Sequence, residues 1–170
     1  KQSASEASPQ DINQALARTL FLLEKHAIFQ NIEIRQDLEE NLPYPKCDLQ
    51  QISHVLMNII LNAAEAMEGN GVLRVATESL TKDWIRITIS DTGPGIDPQV
   101  LPYIFDPFFS TKESDGRGEG QEKSGGTGLG LSVAYQIVRN HGGRLHVANQ
   151  EEGGTSFFID LPLDQFGKGD

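Results

Sequence analysis

Asn58 and Asn62 stand four residues apart in a stretch whose apolar residues recur at helical spacing, which puts both carboxamides on one helix face, one turn apart. A carboxamide oxygen is a hard donor of the kind Mg²⁺ takes while keeping several waters, so Asn62 is the candidate metal ligand. Taken alone, the pair could equally decorate a solvated face. Asp91 opens Asp-Thr-Gly-Pro-Gly directly after Trp84 to Ser90, where Ile85, Ile87 and Ile89 alternate with polar residues at strand period. A carboxylate at a strand end can accept a hydrogen bond from an exocyclic amine such as adenine's, which selects adenine over guanine. Gly93 and Gly95 let the backbone approach a flat ring, although Asp and Gly also make ordinary turns.

Gly125-Gly-Thr-Gly-Leu-Gly130 runs straight into a helical pattern, so free amide hydrogens and the positive end of a helix dipole face any phosphate lying before it. A Rossmann reading fails because no strand precedes Gly125, and a P-loop reading fails for want of the Gly-Lys-Ser/Thr ending. Phe105, Asp106, Pro107, Phe108 and Phe109 crowd together before Ser110, Thr111 and Lys112. They read either as core or as a hinge for a mobile segment, with Lys112 near phosphate. That segment, Glu113 to Lys123, has four acidic residues, two basic ones and three glycines, and no apolar side chain to bury. Gly153-Gly154-Thr155 reads most simply as a hairpin turn.

Several elements must position these groups. Residues 1–10 read as a linker, and a helix starts near Asp11 with Ile12, Leu16, Leu20 and Leu23 on one side. A half-buried strand spans Asn31 to Leu38, Pro43 and Pro45 break the chain, and a second helix runs from about Leu49 to Glu68. Gly69-Asn-Gly71 ends it; strands follow at Val72 to Thr77 and Trp84 to Ser90, then a short helix from Asp97-Pro98 through Ile104. A third helix spans Gly128 to Asn140 and stops at Gly142-Gly143, before strands at Arg144 to Asn149 and Thr155 to Leu161. This order predicts a two-layer α/β sandwich with a mixed five-stranded sheet and its helices mostly on one face. One domain over 11–165 is expected, with a tail at 166–170.

A chain of 170 residues, 38% hydrophobic and 22% charged, suits one soluble domain. Its net charge of −10 and lack of a Lys/Arg run argue against nucleic acid or an anionic bilayer as partner. Cys47 is the lone cysteine and favours a reducing cytoplasm. No stretch approaches the roughly 20 apolar residues of a membrane span. The start lacks both a signal core and an initiator Met, so the chain reads as a piece of a longer protein.

Together these words resemble the ATP-binding catalytic domain of sensor histidine kinases, in the family shared with gyrase, the Hsp90 chaperone and the MutL repair protein, whose fold is the Bergerat fold. Asn58 to Asn62 is similar to the N box, Asp91 to Gly95 to the G1 box, Phe105 to Phe109 to the F box, Gly126 to Gly130 to the G2 box and Gly153 to Thr155 to the last glycine box. The resemblance implies that Asn58 and Asn62 line the phosphate side, with Asn62 on Mg²⁺. It puts Asp91 on the adenine amine, Gly93, Gly95 and Ile96 along the base, and Thr155 near it. Lys112, Gly126, Thr127, Gly128, Leu129, Gly130 and Leu131 would close over ATP, and 106–127 would be the ATP lid. Glu65, where many relatives carry Lys, Arg or Gln, and the long charged insertion depart from the pattern.

Hydrolysing branches carry Glu where Asn58 stands, and Asn cannot take a proton from water. The resemblance therefore implies a kinase that saves the γ-phosphoryl for a histidine on a separate dimerisation domain, then for an Asp of a response regulator receiver domain. None of His26, His54, His141 and His146 is followed by an acidic residue, so the acceptor is expected outside this chain. The rival readings are a clamp-driving ATPase of the gyrase kind and a binding module of the anti-sigma kind. This piece is expected in the cytoplasm, without direct membrane contact, while other parts of the longer protein could include a membrane anchor.

Overall fold

The computed structural model describes residues 7–107, 109 and 130–164. Five strands form one mixed sheet in the order β2-β4-β5-β7-β6: β2 (Asn31–Leu38), β4 (Asn70–Thr81), β5 (Trp84–Ser90), β6 (Arg144–Asn149) and β7 (Thr155–Pro162). β2 pairs parallel to β4 because the chain between them crosses over through a helix, while every other pairing in the sheet is antiparallel. Alternation decides the faces. Ile85, Ile87 and Ile89 of β5 and Phe157, Ile159 and Leu161 of β7 are buried under the helices, and Arg86, Thr88 and Phe158 point the other way. On that outer face Asp160 is sealed by a two-pronged ion pair from Arg86, at 2.7 and 2.9 Å.

Among the described residues three α-helices form the second layer: α1 (Ile12–Leu23), α2 (Leu49–Ala66) and α3 (Gly130–Asn140). Asp11 and Asp48 start the first two by accepting hydrogen bonds from first-turn amides, Gln14 for α1 and Gln50 and Gln51 for α2. α2 lies at the centre of the core and buries Ile52, Val55, Leu56, Ile59, Ile60 and Ala63, each of the branched side chains among them contributing roughly 1.5–3 kcal/mol. Cys47 is packed into the same core, and burial pushes its thiol pKa up to about 11, which leaves it unreactive near neutrality.

Several expectations shift. β4 begins at Asn70 and runs on to Thr81, well beyond Thr77, because it continues into a hairpin with β5 whose last residues are polar and show no alternation. The helix expected from Asp97 becomes a turn and a single 3₁₀ turn, Leu101–Tyr103; Pro102 has no N–H to donate back along an α-helical ladder. Ser8–Pro9 (β1), within the stretch read as linker, pairs antiparallel with Lys46–Cys47 (β3). The helix expected from Gly128 is seen from Gly130, residues 128 and 129 lying outside the described ones.

Candidate functional site

β5 delivers Asp91 to the helix side of the sheet, where it is 2% exposed. Its Oδ1 accepts the Gly93 N–H at 2.9 Å, and its own N–H donates to the Thr155 carbonyl at 2.9 Å. Burial raises the Asp91 carboxyl pKa, and the backbone amides of Gly93 and Thr155 partly oppose that by stabilising the charged form. The result is a dehydrated carboxylate at a strand end, held in place before any ligand arrives.

Glycines are required around it by space. A Cβ on Gly93 would sit 3.0 Å from Asp91 Oδ1 and 3.1 Å from the Ala66 carbonyl, which also shows that the loop rests on the last turn of α2. Gly154 has φ +94°, and a side chain there would run into the Asp91 carbonyl. Thus the Asp91 loop and the β6–β7 hairpin touch backbone to backbone, and Thr155 reaches Asp91 through its carbonyl.

α2 carries Asn58 and Asn62 on its half-buried face, one turn apart. Asn58 Nδ2 donates to the Gly130 carbonyl at 3.3 Å, joining α2 to the first residue of α3. That bond commits the nitrogen and leaves Oδ1 for other partners. Leu131 and Ile96 pack half-buried against the core. Among the described residues no three His, Cys, Asp or Glu side chains gather into a metal cage. A hard carboxamide oxygen such as that of Asn62 would suit Mg²⁺, which takes few protein ligands.

Lys112, Gly126, Thr127, Gly128 and Leu129 lie outside the described residues, as does most of the 106–127 segment. At its start Phe105 stacks on Tyr135 of α3 at 5.1 Å and meets Phe157 of β7 edge-on at 6.4 Å. This aromatic packs half-buried against the core.

His141 is 6% exposed and bonded through both ring nitrogens. Nδ1–H donates to the Ile137 carbonyl at 2.7 Å, and Nε2 accepts the Asp48 N–H at 3.2 Å, which ties the end of α3 to the start of α2. His146 stacks on Phe158 on the outer sheet face, and His54 is exposed on α2.

The sequence reading missed Asn149 and Gln150. Asn149 Oδ1 accepts the Ile96 N–H at 2.8 Å, and Gln150 Nε2 donates to the Asp91 carbonyl at 2.8 Å. Asn149 reads as the last residue of a strand and Gln150 as the first polar residue after it, so composition holds no signal for a site role.

Residues 47–165 match the family model described as histidine kinase-, DNA gyrase B-, and HSP90-like ATPase. The sensor histidine kinase ZraS of Escherichia coli (strain K12) is 35% identical over 154 residues, covering 91% of this chain and 30% of ZraS. The curated relatives are much longer, and the chain spans 17% to 31% of their length. The solved catalytic domain of histidine kinase ThkA superposes with a TM-score of 0.79 at 28% identity, covering 94% of this chain and 99% of that one. Full-length ShkA in complex with AMPPNP superposes with a TM-score of 0.77 at 26% identity, covering 94% of this chain and 32% of ShkA. By its family match and its fold, the chain belongs to the histidine kinase-, DNA gyrase B- and HSP90-like ATPase family, and is a histidine kinase-type ATPase domain.

Proposed function

We propose that this domain binds Mg-ATP and donates its γ-phosphoryl group to a histidine on a separate dimerisation domain, from which an Asp of a response regulator receiver domain takes it. The carrying observation is that Asn58, which has no proton-accepting carboxylate, spends its amide nitrogen on Gly130 at the head of α3. Asn58 then offers water near the γ-phosphate no base, and ATP is kept for another acceptor. The AMPPNP complex of ShkA and the response regulator complex of ThkA support this reading for their own proteins.

In the proposed complex Asp91 accepts the adenine amine, Gly93, Gly95 and Ile96 flank the base with Thr155 behind Asp91, and Asn58 and Asn62 face the phosphates. Asn62 would hold Mg²⁺, which would supply charge neutralisation at the phosphates during transfer. The acceptor imidazole nitrogen attacks the γ-phosphorus, a P–N bond forms, and the bond to the β,γ-bridging oxygen breaks with ADP leaving. Lys112, Gly126, Thr127, Gly128, Leu129, Gly130 and Leu131 are proposed to cover the phosphates, and 106–127 to act as the lid of a domain spanning 11–165. Among the described residues no helix is long and apolar enough to cross a membrane, and we place this piece in the cytoplasm.

The test mixes the domain with a histidine-bearing dimerisation hairpin from the same protein and γ-labelled ATP. Acid-labile, base-stable label on the hairpin is expected. Tight ATP binding without phosphohistidine would instead favour a regulatory binding module.

A further inference from the structure

We propose that Asn149 and Gln150 form a tandem carboxamide clamp that sets base specificity by positioning the Asp91–Ile96 loop; the inference rests on the ATP reading above. The loop has six residues, and the two consecutive side chains grip its first and last. Gln150 Nε2 donates to the carbonyl of Asp91 at 2.8 Å and to that of Thr155 at 3.4 Å. Asn149 takes both polar groups of Ile96, accepting its N–H at 2.8 Å and donating to its carbonyl at 2.5 Å. The clamp is itself braced, since the Gln150 N–H donates to the Gly154 carbonyl at 2.9 Å and the Gly153 N–H returns to the Gln150 carbonyl at 3.2 Å.

A carboxamide carries a donor and an acceptor in one plane and so can stand in for the peptide of a neighbouring strand. The loop leaves the sheet at Ser90 and needs such a surrogate. Gly95 bears the mark of this contact, with φ +81° and space for a Cβ only 3.1 Å from Asn149 Oδ1. Asp91 meets the base edge only as accurately as its backbone is held, and Ile96 forms the wall beside it. Guanine presents an oxygen where adenine presents its amine, so a well-placed carboxylate rewards one base and repels the other. Loosening the loop therefore harms ATP and leaves the weak binding of GTP almost untouched.

Asn149→Ala and Gln150→Ala are compared with wild type by ATP and GTP calorimetry, thermal unfolding and amide exchange at Ile96. The expected result is a ~10-fold rise in the ATP Kd with GTP little changed, so that selectivity shrinks by the same factor. The melting temperature should stay close to wild type, because Asn149 is exposed, and exchange at Ile96 should accelerate in Asn149→Ala even without nucleotide. Unchanged ATP affinity, or parallel weakening of ATP and GTP, overturns the specificity role. A wild-type chain that binds neither nucleotide removes the ATP reading with it, whereas faster exchange at Ile96 reports the clamp independently.

Discussion

The Asn58 amide on α2 and the Gly130 carbonyl at the head of α3 meet at 3.3 Å, so the helix carrying both site asparagines is tied to the helix that follows the glycine-rich segment. Replacing Asn58 with Asp removes the donor and sets a negative charge against a carbonyl oxygen. The expected outcome is a Mg-ATP Kd raised ~10-fold, about 1.4 kcal/mol, with the fold retained. Titration calorimetry checks it, and a Kd within twofold of wild type would show that the tie is not used when nucleotide is bound.

Asp91→Asn keeps an oxygen for the Gly93 N–H and places an amide where the adenine amine is proposed to arrive. ATP affinity should fall by ~100-fold or more, because a site built to pair one polar group is left mismatched. Stability should move the other way. Burial raises the Asp91 carboxyl pKa above its ordinary 3.8, so the native state holds this proton more tightly than the unfolded chain does. Its charged form thus costs stability at neutral pH, and the cost fades as pH falls back through the raised value toward 3.8. Nucleotide-free Asp91→Asn should therefore melt above wild type at pH 7, with the gap closing in acid.

Gly153 and Gly154 separate backbone conformation from space. Both have positive φ, +96° and +94°, but a Cβ on Gly153 meets nothing within 4 Å while one on Gly154 strikes Asp91. Gly153→Ala should cost about 1 kcal/mol and leave ATP binding in place. Gly154→Ala should cost ~2–3 kcal/mol or more and abolish binding, since the Asp91 loop must move. Equal effects in melts and titrations would contradict the close approach.

His141→Phe fills similar space but strands the Asp48 N–H and removes the ring's bond to the Ile137 carbonyl, which keeps the backbone N–H of residue 141. A loss of ~1–3 kcal/mol is expected in urea unfolding, with an unchanged m-value. A loss under 0.5 kcal/mol, as for a surface change, would show that water replaces the ring.

Much of this was legible in the residues. Ile85, Ile87 and Ile89 announce β5 and its faces, the alternation from Asn31 to Leu38 marks β2 at its observed bounds, and Asp11 and Asp48 stand where the helices begin. Alternation has a physical cause, one face buried and one wet, so it survives into the fold. What was hidden depends on contacts between distant segments. Glu78 to Thr81 join β4 through pairing with β5 rather than through their own pattern, and Ser8–Pro9 find a partner only in Lys46–Cys47. Asn149 and Gln150 look like any polar pair before a turn until the Asp91 loop is folded against them.

The most direct measurement follows the γ-phosphoryl itself: the domain, Mg²⁺ and γ-labelled ATP are incubated with and without the histidine-bearing hairpin, and label is partitioned between protein and free phosphate. Almost no free phosphate is expected from the domain alone, and label on the hairpin's histidine when it is added. Steady phosphate release by the domain alone, with none reaching the histidine, would contradict the proposed transfer.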